Sequence, residues 1–335
     1  MFENISLEAH NSFGIAASAR YFVSLESADD IIQVLDDARW KNLPKLILGE
    51  GSNILFRTDF PGVVLHLGDA HIEELGTSDG SVFLRVSAGY SWHQLVLETI
   101  RRGYFGLENL SLIPGTVGAA PIQNIGAYGV EFKSCFHALD AIDLTTGEHR
   151  QFDLEAAGFG YRDSYFKQNL GQYLIQSVTL KLPLSPVWHL DYGGLRDTLA
   201  EYSDDELSAK KISNAVCQLR RQKLPDPAMV GNAGSFFKNP IIAQQQADQL
   251  KTDHPNLPVF KHDNTHSKLS AAWLIEQCGW KGFREGAAGV SAEHALVLVN
   301  HGGASGESIW QLAQKIQASV LVRFGVALEP EPRLV

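Results

Sequence analysis

The chain has 335 residues, of which 44% are hydrophobic and 20% are charged, and its formal net charge at pH 7 is −10. This composition excludes an intrinsically disordered chain and is typical of a globular protein of two or three domains. The acidic balance disfavours non-specific binding to nucleic acid or to an anionic membrane, so an anionic substrate would need a local basic pocket.

The cysteines Cys135, Cys217 and Cys278 lie far apart and form no CxxC pair. They indicate buried free thiols and not a disulfide framework or a zinc site. The twelve histidines show no metal-binding spacing, and no metal is expected. The segment MFENISLEAHNSFG lacks the features of a secretory signal, and no apolar stretch approaches the ~20 residues of a membrane helix. We therefore expect a cytoplasmic location without membrane contact.

Residues 20–90 alternate short apolar runs with patterns of helical period. The spacing predicts a helix over 31–40 and strands over 45–49, 63–67 and 82–88. A second helix is predicted to begin after Ser91, a residue type that caps helix N-termini, and to end at Gly103.

Residues 110–130 interrupt this rhythm with a run of glycine and small side chains. Further along, alternation predicts a hairpin over 138–152 and a strand over 173–182. We expect one face of that strand to carry Leu174, Val178, Leu180 and Leu182. Residues 183–208 are predicted to form a connector, and helices are predicted over 213–223, 268–278 and 306–324. This mixture indicates α+β domains and not one doubly wound sheet.

The sequence GEGSN follows the predicted strand over 45–49. Its glycines permit positive φ and a close approach of backbone N–H groups to a phosphate, and Ser52 and Asn53 add side-chain donors. The segment is not GxGxxG and opens no helix, so a standard Rossmann site is not indicated. By itself the pattern fits either a phosphate-binding loop or an ordinary turn at the end of a strand.

The segment over 112–130 permits a flat, bulky ligand to lie against the backbone, because its side chains are small. Gln123 and Asn124 could bind ring heteroatoms or hydroxyls. The alternative is a tight loop packed in the core. In the segment GYRDS, Arg162 offers a planar fork that suits a carboxylate, although a lone arginine in such a segment is more often a surface ion-pair partner.

A basic cluster over 220–223 precedes the glycine-rich segment GNAGSFFKNP. Lys223, Ser235 and Asn239 in this region suit a diphosphate and a reactive hydroxyl. Ser235 lacks the GxSxG context of a hydrolase nucleophile, and no histidine or aspartate is placed to activate it. The acidic residues near the end of the chain are usually solvated, and nothing intrinsic singles out Glu331.

Six segments occur in one order along the chain: GEGSNILF at 49–56, LIPGTVGAAPIQNIGAYGVE at 112–131, FGYRDSYFK at 159–167, KLPDP at 223–227, GNAGSFFKNP at 231–240 and LEPE at 328–331. From Phe13 to Glu331 the chain resembles the UDP-N-acetylenolpyruvoylglucosamine reductase family, also called UDP-N-acetylmuramate dehydrogenases. Two departures are Pro332, where an aliphatic residue is more usual, and Ala119-Ala120, which lacks the hydroxyls of some relatives.

The resemblance implies an FAD-binding domain of the vanillyl-alcohol-oxidase (PCMH) type over 14–185, with two subdomains divided near 70. A connector over 186–213 would carry the Tyr192 loop of one subclass, and an α+β substrate-binding domain would span 214–335. FAD would be bound non-covalently, because GEGSN contains no histidine to tether it. The implied FAD-binding residues are Gly49, Gly51, Ser52, Asn53, Pro114, Gly115, Thr116, Gly118, Gln123, Asn124, Gly126, Ala127 and Tyr128.

The implied activity reduces UDP-N-acetylglucosamine-enolpyruvate with NADPH through FAD, in the synthesis of the peptidoglycan precursor for the cell wall. By resemblance, Ser235 donates the proton, and Arg162 and Glu331 hold the enolpyruvyl carboxylate. Tyr192, Lys223 and Asn239 would hold the diphosphate. A monomer is expected.

Two other functions stay open at this point. One is a different FAD oxidoreductase of the same superfamily that acts on an alcohol or a lactone, which would not need Ser235, Lys223 and Arg162 together. The other is a catalytically silent protein that binds a flavin or a nucleotide. The presence of Ser235, Arg162 and Glu331 argues against it.

Overall fold

The computed structural model describes residues 2–26 and 28–335. The helices are α1 (Ala28–Asp36), α2 (Trp92–Arg102), α3 (Leu154–Ala157), α4 (Tyr165–Gln168), α5 (Leu195–Thr198), α6 (Ala209–Lys223), α7 (Gln244–Asp253), α8 (Ala271–Gln277) and α9 (Gly306–Phe324). The strands are β1 (Phe2–Ser6), β2 (Ser18–Leu25), β3 (Lys45–Leu48), β4 (Ile54–Leu55), β5 (Phe60–Leu67), β6 (Ile72–Ser78), β7 (Ser81–Ser87), β8 (Gly126–Ala127), β9 (Val130–Glu131), β10 (Phe136–Asp143), β11 (His149–Asp153), β12 (Tyr173–Pro183), β13 (Gly231–Asn232), β14 (Ile241–Ala243), β15 (Val259–Lys261), β16 (His266–Leu269), β17 (Arg284–Glu285), β18 (Ala288–Val290), β19 (Leu298–Asn300) and β20 (Arg333–Leu334).

These elements form two compact units. The first comprises the described residues of segments 1–5, 19–50 and 61–220, and the second those of 6–18, 51–60 and 221–335. The domain boundaries expected from the sequence stay a prediction.

The first unit contains a five-stranded antiparallel sheet of order β11-β10-β12-β7-β6. Helix α2 buries Trp92, Leu95 and Val96 in the core cluster to which this sheet contributes. The helix lies where the sequence predicts it and ends at Gly103, whose φ of 78° is the left-handed conformation that glycine adopts easily. Ser91 occupies the N-cap position, but its side chain makes no capping hydrogen bond.

Strand β12 corrects one prediction. Val178, Leu180 and Leu182 pack in one core cluster as expected, but Leu174 packs in another, and Ile175 takes its place beside the first three. The cause is an irregularity in the pairing with β10, where the register shifts between Asp140 and Ala141. An extra residue in a strand reverses the alternation of side chains beyond it.

A smaller sheet of the same unit has the order β1-β2-β5-β3, with β3 and β5 parallel. Helix α1 was predicted to end at residue 40, but it ends at Asp36 because residues 38–42 form turns. Helix α6 begins at Ala209, four residues before its predicted start, and buries Ile212 and Val216 in a cluster that also contains Tyr128 and Leu190.

The second unit contains a four-stranded sheet of order β13-β19-β18-β17 and a three-stranded sheet of order β14-β16-β15. Helix α9 has its predicted bounds and ends at Gly325 in the left-handed conformation. It buries one apolar stripe at helical spacing, which comprises Ile309, Leu312, Ala313, Ile316, Val320 and Phe324. The helix predicted over 268–278 begins later, at Ala271, because residues up to Leu269 pair in β16 and the Ser270 side chain caps the helix. Helix α7 was not predicted.

Candidate active site

The two predicted cofactor segments meet in the first unit. The backbone N–H of Gly115 donates a hydrogen bond to the Glu50 carboxylate at 2.8 Å. A Cβ atom added at Gly49 would lie 2.7 Å from the Thr116 hydroxyl oxygen, closer than any real side chain tolerates. A side chain at position 49 would therefore force the Thr116 side chain to move, so glycine favours this close approach of two segments that are distant in the sequence.

The loop over 112–128 is shaped by residues in an unusual backbone conformation. Leu112, Asn124 and Tyr128 have φ values of 59°, 46° and 48°, and Arg162 nearby has 52°. A residue with a side chain seldom adopts positive φ, and such strain persists only where the surrounding structure enforces it. Its concentration around this loop is typical of a functional site.

Asn124 organises the loop from inside. Its side chain is fully buried, and its Nδ2 donates to the Gly160 carbonyl oxygen at 3.0 Å and to the Glu131 carboxylate at 3.2 Å. Its Oδ1 accepts a hydrogen bond from the Lys133 backbone N–H at 2.9 Å. These bonds engage both ends of the amide group, so the Asn124 side chain supports the loop over 112–128, the predicted cofactor loop, from the protein side.

Arg162 is fixed against the same loop. Its Nη2 donates to the Gly126 carbonyl oxygen at 3.0 Å, and the Ser164 hydroxyl donates to the Ile122 carbonyl oxygen at 2.6 Å. A Cβ atom at Gly126 would lie 3.4 Å from Arg162 Nη1 and only 3.0 Å from the Val130 carbonyl oxygen. The structure thus places the predicted carboxylate-binding arginine beside a predicted cofactor-binding glycine.

Arg220 is a second cation near this loop, and its position was not predicted. Its Nε donates to the carbonyl oxygen of Leu112 at 3.2 Å. Burial lowers the pKa of its guanidinium, and the positive charge of Arg162 acts in the same direction. An arginine stays charged despite such shifts, so both cations act on this part of the first unit. The sequence signal was present, but it was interpreted only as part of a basic cluster.

The predicted substrate tyrosine lies next to the end of the cofactor loop. The rings of Tyr128 and Tyr192 are nearly perpendicular, with centroids 6.5 Å apart. A Cβ atom at Gly193 would contact the Tyr128 ring at 3.4 Å, and one at Gly129 would contact Tyr192 Cβ at the same distance. The Tyr192 side chain is 48% exposed, so it is accessible to a ligand.

In the second unit, Ser235 follows a turn held by a buried amide. Asn232 is 1% exposed, and its Nδ2 donates to the carbonyl oxygens of Pro225 and Val230 at 3.0 and 2.8 Å. Its Oδ1 accepts from the Gly234 backbone N–H at 2.9 Å. One side chain therefore joins the KLPDP segment to the loop that carries Ser235.

Glu331 lies alongside the Ser235 loop. The backbone N–H of Glu331 donates to the Phe236 carbonyl oxygen at 2.8 Å, and that of Lys238 donates to the Glu329 carbonyl oxygen at 2.9 Å. Asn53 holds the Glu331 backbone from another direction, since its Nδ2 donates to the Glu331 carbonyl oxygen at 3.3 Å. The terminal strand β20 pairs with β4 from Arg333, directly after Pro332, which has no backbone N–H to donate to a neighbouring strand.

Asn239 is oriented as a donor. Its Oδ1 accepts a hydrogen bond from the Ala271 backbone N–H at 2.9 Å. This bond fixes which end of the amide is oxygen and leaves its NH2 group to serve as the donor toward a ligand. The role of Asn239 in binding an anion stays a prediction.

His294 lies near Lys223 in the second unit, and nothing in the sequence singles out this residue. Its Nδ1 accepts from the Leu296 backbone N–H at 3.3 Å, which places the proton of the neutral ring on Nε2. Burial lowers the pKa of the imidazole, and the positive charge of Lys223 lowers it further. No spacing in the sequence indicates that His294 and Lys223 lie close together.

Comparisons with known proteins decide the family. Residues 19–153 match the model of an FAD binding domain, and residues 226–335 match the C-terminal domain of UDP-N-acetylenolpyruvoylglucosamine reductase. A reductase of that name from Amoebophilus asiaticus is 52% identical over 334 residues, which cover 99% of this chain and 98% of the relative. One from Pseudomonas putida is 48% identical over the same shares of the two chains. The chain belongs to the UDP-N-acetylenolpyruvoylglucosamine reductase family.

Solved structures confirm the predicted fold. The UDP-N-acetylenolpyruvylglucosamine reductase of Thermus caldophilus superposes with a TM-score of 0.68 at 24% identity, covering 99% of this chain and 98% of the other. The 6-hydroxy-D-nicotine oxidase of Arthrobacter nicotinovorans gives a TM-score of 0.51 at 14% identity, covering 92% and 81%. The chain is an FAD-dependent oxidoreductase with an FAD-binding domain of the vanillyl-alcohol-oxidase type and a C-terminal α+β domain.

The residues present fit FAD. Gln123, Gly126 and Ala127 are partly exposed, and the latter two offer a ligand only backbone and a methyl group. This surface lies beside the Arg162 guanidinium and suits a flat, polar ring system. Within residues 2–26 and 28–335, no group of three histidine, cysteine or acidic side chains is arranged to hold a metal ion. In the same described part of the chain, no helix is long and apolar enough to cross a membrane.

Proposed function

We propose that this protein reduces UDP-N-acetylglucosamine-enolpyruvate to UDP-N-acetylmuramate at the expense of NADPH, and so acts in peptidoglycan precursor synthesis. The observation that carries the proposal is the antiparallel pairing that sets the Ser235–Lys238 loop beside Glu331. A hydroxyl and a carboxylate in adjacent segments suit the protonation of a carbon next to a carboxylate.

FAD, when bound, supplies the hydride acceptor for NADPH and the hydride donor for the terminal carbon of the enolpyruvyl group. Negative charge then develops on the adjacent carbon of the substrate and spreads into its carboxylate. Arg162 binds that carboxylate with its planar fork and stabilises the charge. The Gly126 carbonyl bond and the left-handed backbone hold Arg162 in position before substrate arrives, so little reorganisation is needed.

Ser235 donates the proton to the charged carbon. A serine hydroxyl is a weak acid, but it needs only to be more acidic than the carbon that it protonates. The buried Phe236 and Phe237 next to it, both at most 1% exposed, anchor the loop and restrict the motion of the hydroxyl. Glu331 completes the polar surroundings of the substrate carboxylate, where its own charge must be compensated by neighbouring donors or by a proton.

Lys223, Asn239 and Tyr192 bind the diphosphate. Lys223 contributes a point charge, Asn239 an amide whose NH2 end is fixed as the donor, and Tyr192 an exposed hydroxyl. These local donors let a protein with a net charge of −10 bind a nucleotide sugar that carries several negative charges. A monomeric state and a cytoplasmic location are parts of the same proposal.

The test is an anaerobic absorbance experiment on the purified protein. NADPH should bleach the visible flavin band, and UDP-N-acetylglucosamine-enolpyruvate should restore it. A flavin that bleaches but is not restored by this substrate would contradict the proposal and favour the other superfamily activity, oxidation of an alcohol or a lactone. A protein that shows no flavin band after incubation with FAD would contradict both.

A further inference from the structure

A buried amide, Asn109, connects the cofactor loop with the segment that carries Tyr192. Asn109 is 1% exposed and lies in a short 3-10 turn over 108–110. Its Nδ2 donates to the carbonyl oxygen of Tyr128 at 2.8 Å and to that of His189 at 2.6 Å. One NH2 group thus holds the end of the cofactor loop, at Tyr128, and the beginning of the segment that carries Tyr192, at His189.

The chemistry of the site fixes the orientation of this amide. Its Oδ1 is buried and has no hydrogen-bond partner among the residues that the structure describes. Exchanging the two ends would set the oxygen against two carbonyl oxygens, which is worse. A buried acceptor without a donor is unfavourable, so an apolar side chain would suit the space around Oδ1 better. The amide at this position makes sense through its two donors, which serve two separate segments.

The two segments also contact each other directly. Tyr128 packs its ring edge to face with Tyr192, and Gly193 lies against the same ring. Leu190 is buried in the cluster that contains Tyr128. Both residues that Asn109 holds are therefore close to Tyr192, and the loops form one packed assembly within the first unit.

We propose that Asn109 is a positioning residue that fixes Tyr192 relative to the cofactor loop and thereby presets it for the substrate's diphosphate. This inference rests on the proposed function. Asn109 touches neither substrate nor cofactor in this role, since it acts through the Tyr128 and His189 backbone. Without the amide, the 189–194 segment samples more conformations, and Tyr192 binds the diphosphate less often in the productive one.

The expected effect is on substrate binding and not on reduction of the flavin. Asn109→Leu removes both donors and keeps the branching of the side chain at Cγ. Asn109→Ser keeps one donor on a smaller side chain and serves if the larger leucine prevents folding. We expect the KM for the enolpyruvyl substrate to rise about tenfold, equivalent to ~1.4 kcal/mol. The rate at which NADPH bleaches the flavin should stay within about twofold of wild type.

A double-mutant cycle with Tyr192→Phe decides between positioning and general stabilisation. If Asn109 acts through the Tyr192 hydroxyl, its substitution should have little further effect on KM in the Tyr192→Phe background. Fully additive effects, an unchanged KM, or equal losses in both half-reactions would overturn the inference. If the substrate does not reoxidise the reduced flavin of the wild-type protein, the proposed function itself is refuted. Failure of the inference about Asn109 can therefore be distinguished from failure of the proposed function.

Discussion

The backbone N–H of Glu331 donates a hydrogen bond at 2.8 Å to the carbonyl oxygen of Phe236, the residue that follows Ser235. Asn53 donates to the carbonyl oxygen of Glu331 from the other side. The terminal acidic residue is thus held between two of the glycine-rich segments of the chain. Backbone bonds of this kind position a side chain independently of its own chemistry, so substitutions at Glu331 and Ser235 should alter activity more than stability.

Ser235→Ala should separate the two half-reactions. Bleaching of the flavin by NADPH should be unchanged, and reoxidation by the enolpyruvyl substrate should slow by about 10²- to 10⁴-fold, the usual contribution of a general acid. Stopped-flow absorbance at the flavin band measures both rates. Ser78→Ala, on an exposed hairpin, is the matched control. Equal slowing of both half-reactions would refute the role of Ser235.

Arg162→Lys keeps the positive charge but loses the planar fork and the bond to Gly126. We expect kcat for substrate reduction to fall by at least about tenfold, because a lysine cannot bind a carboxylate in the bidentate geometry. Steady-state kinetics at saturating NADPH test this. Arg101→Lys, which changes an arginine paired with Glu98 on the surface, should behave as wild type. Retention of full activity by the Arg162 variant would exclude bidentate binding.

Gly118→Ala should destabilise the cofactor loop. The added Cβ atom would lie 2.5 Å from Ala88 Cβ, and overpacking of this kind costs about 1–3 kcal/mol. We expect a lower Tm and a lower FAD content after purification. The second substitution Ala88→Gly removes the contacted methyl group and should restore part of both. If the double variant is no better than Gly118→Ala alone, the contact with Ala88 is not the cause.

His294 should make the stability of the protein depend on pH. Its pKa is lowered in the folded state, first by burial and then by Lys223, so the unfolded chain binds more protons just below the ordinary value of 6.5. The contribution of the neutral His294 ring to the free energy of unfolding is full above pH 6.5. It is lost as the pH falls from there toward the lowered pKa of the folded state.

The glutamine in the His294→Gln variant cannot titrate. Between pH 7.5 and 5.5, the Tm of this variant should therefore fall less than that of the wild-type protein. Differential scanning calorimetry of both proteins measures the difference. His71→Gln, which alters an exposed histidine of the first unit, is the control. An identical pH dependence in wild type and the His294 variant would contradict the assigned cause.

Local patterns of apolar and capping residues in the sequence predicted much of the fold. The apolar stripe of α9 and the end of α2 at Gly103 follow from rules that act over a few residues, and the structure agrees with them, although Ser91 makes no capping hydrogen bond. The same rules failed at β12, because the bulge that moves Leu174 to another core cluster depends on the pairing with β10. They also missed helix α7, whose buried residues are only Ala247 and Leu250.

The sequence by itself determined which residue types the site contains and in what order, and the motif order identified the family. Only the tertiary structure decided which partners the buried polar side chains bind. It assigned Asn124 to the interior of the loop and set Arg220 beside Leu112. It also bonded Asn109 to two segments that are distant in the chain. The physical reason is that hydrogen bonds of buried polar groups are satisfied by whichever segments the fold brings together, and no spacing in the sequence records that choice.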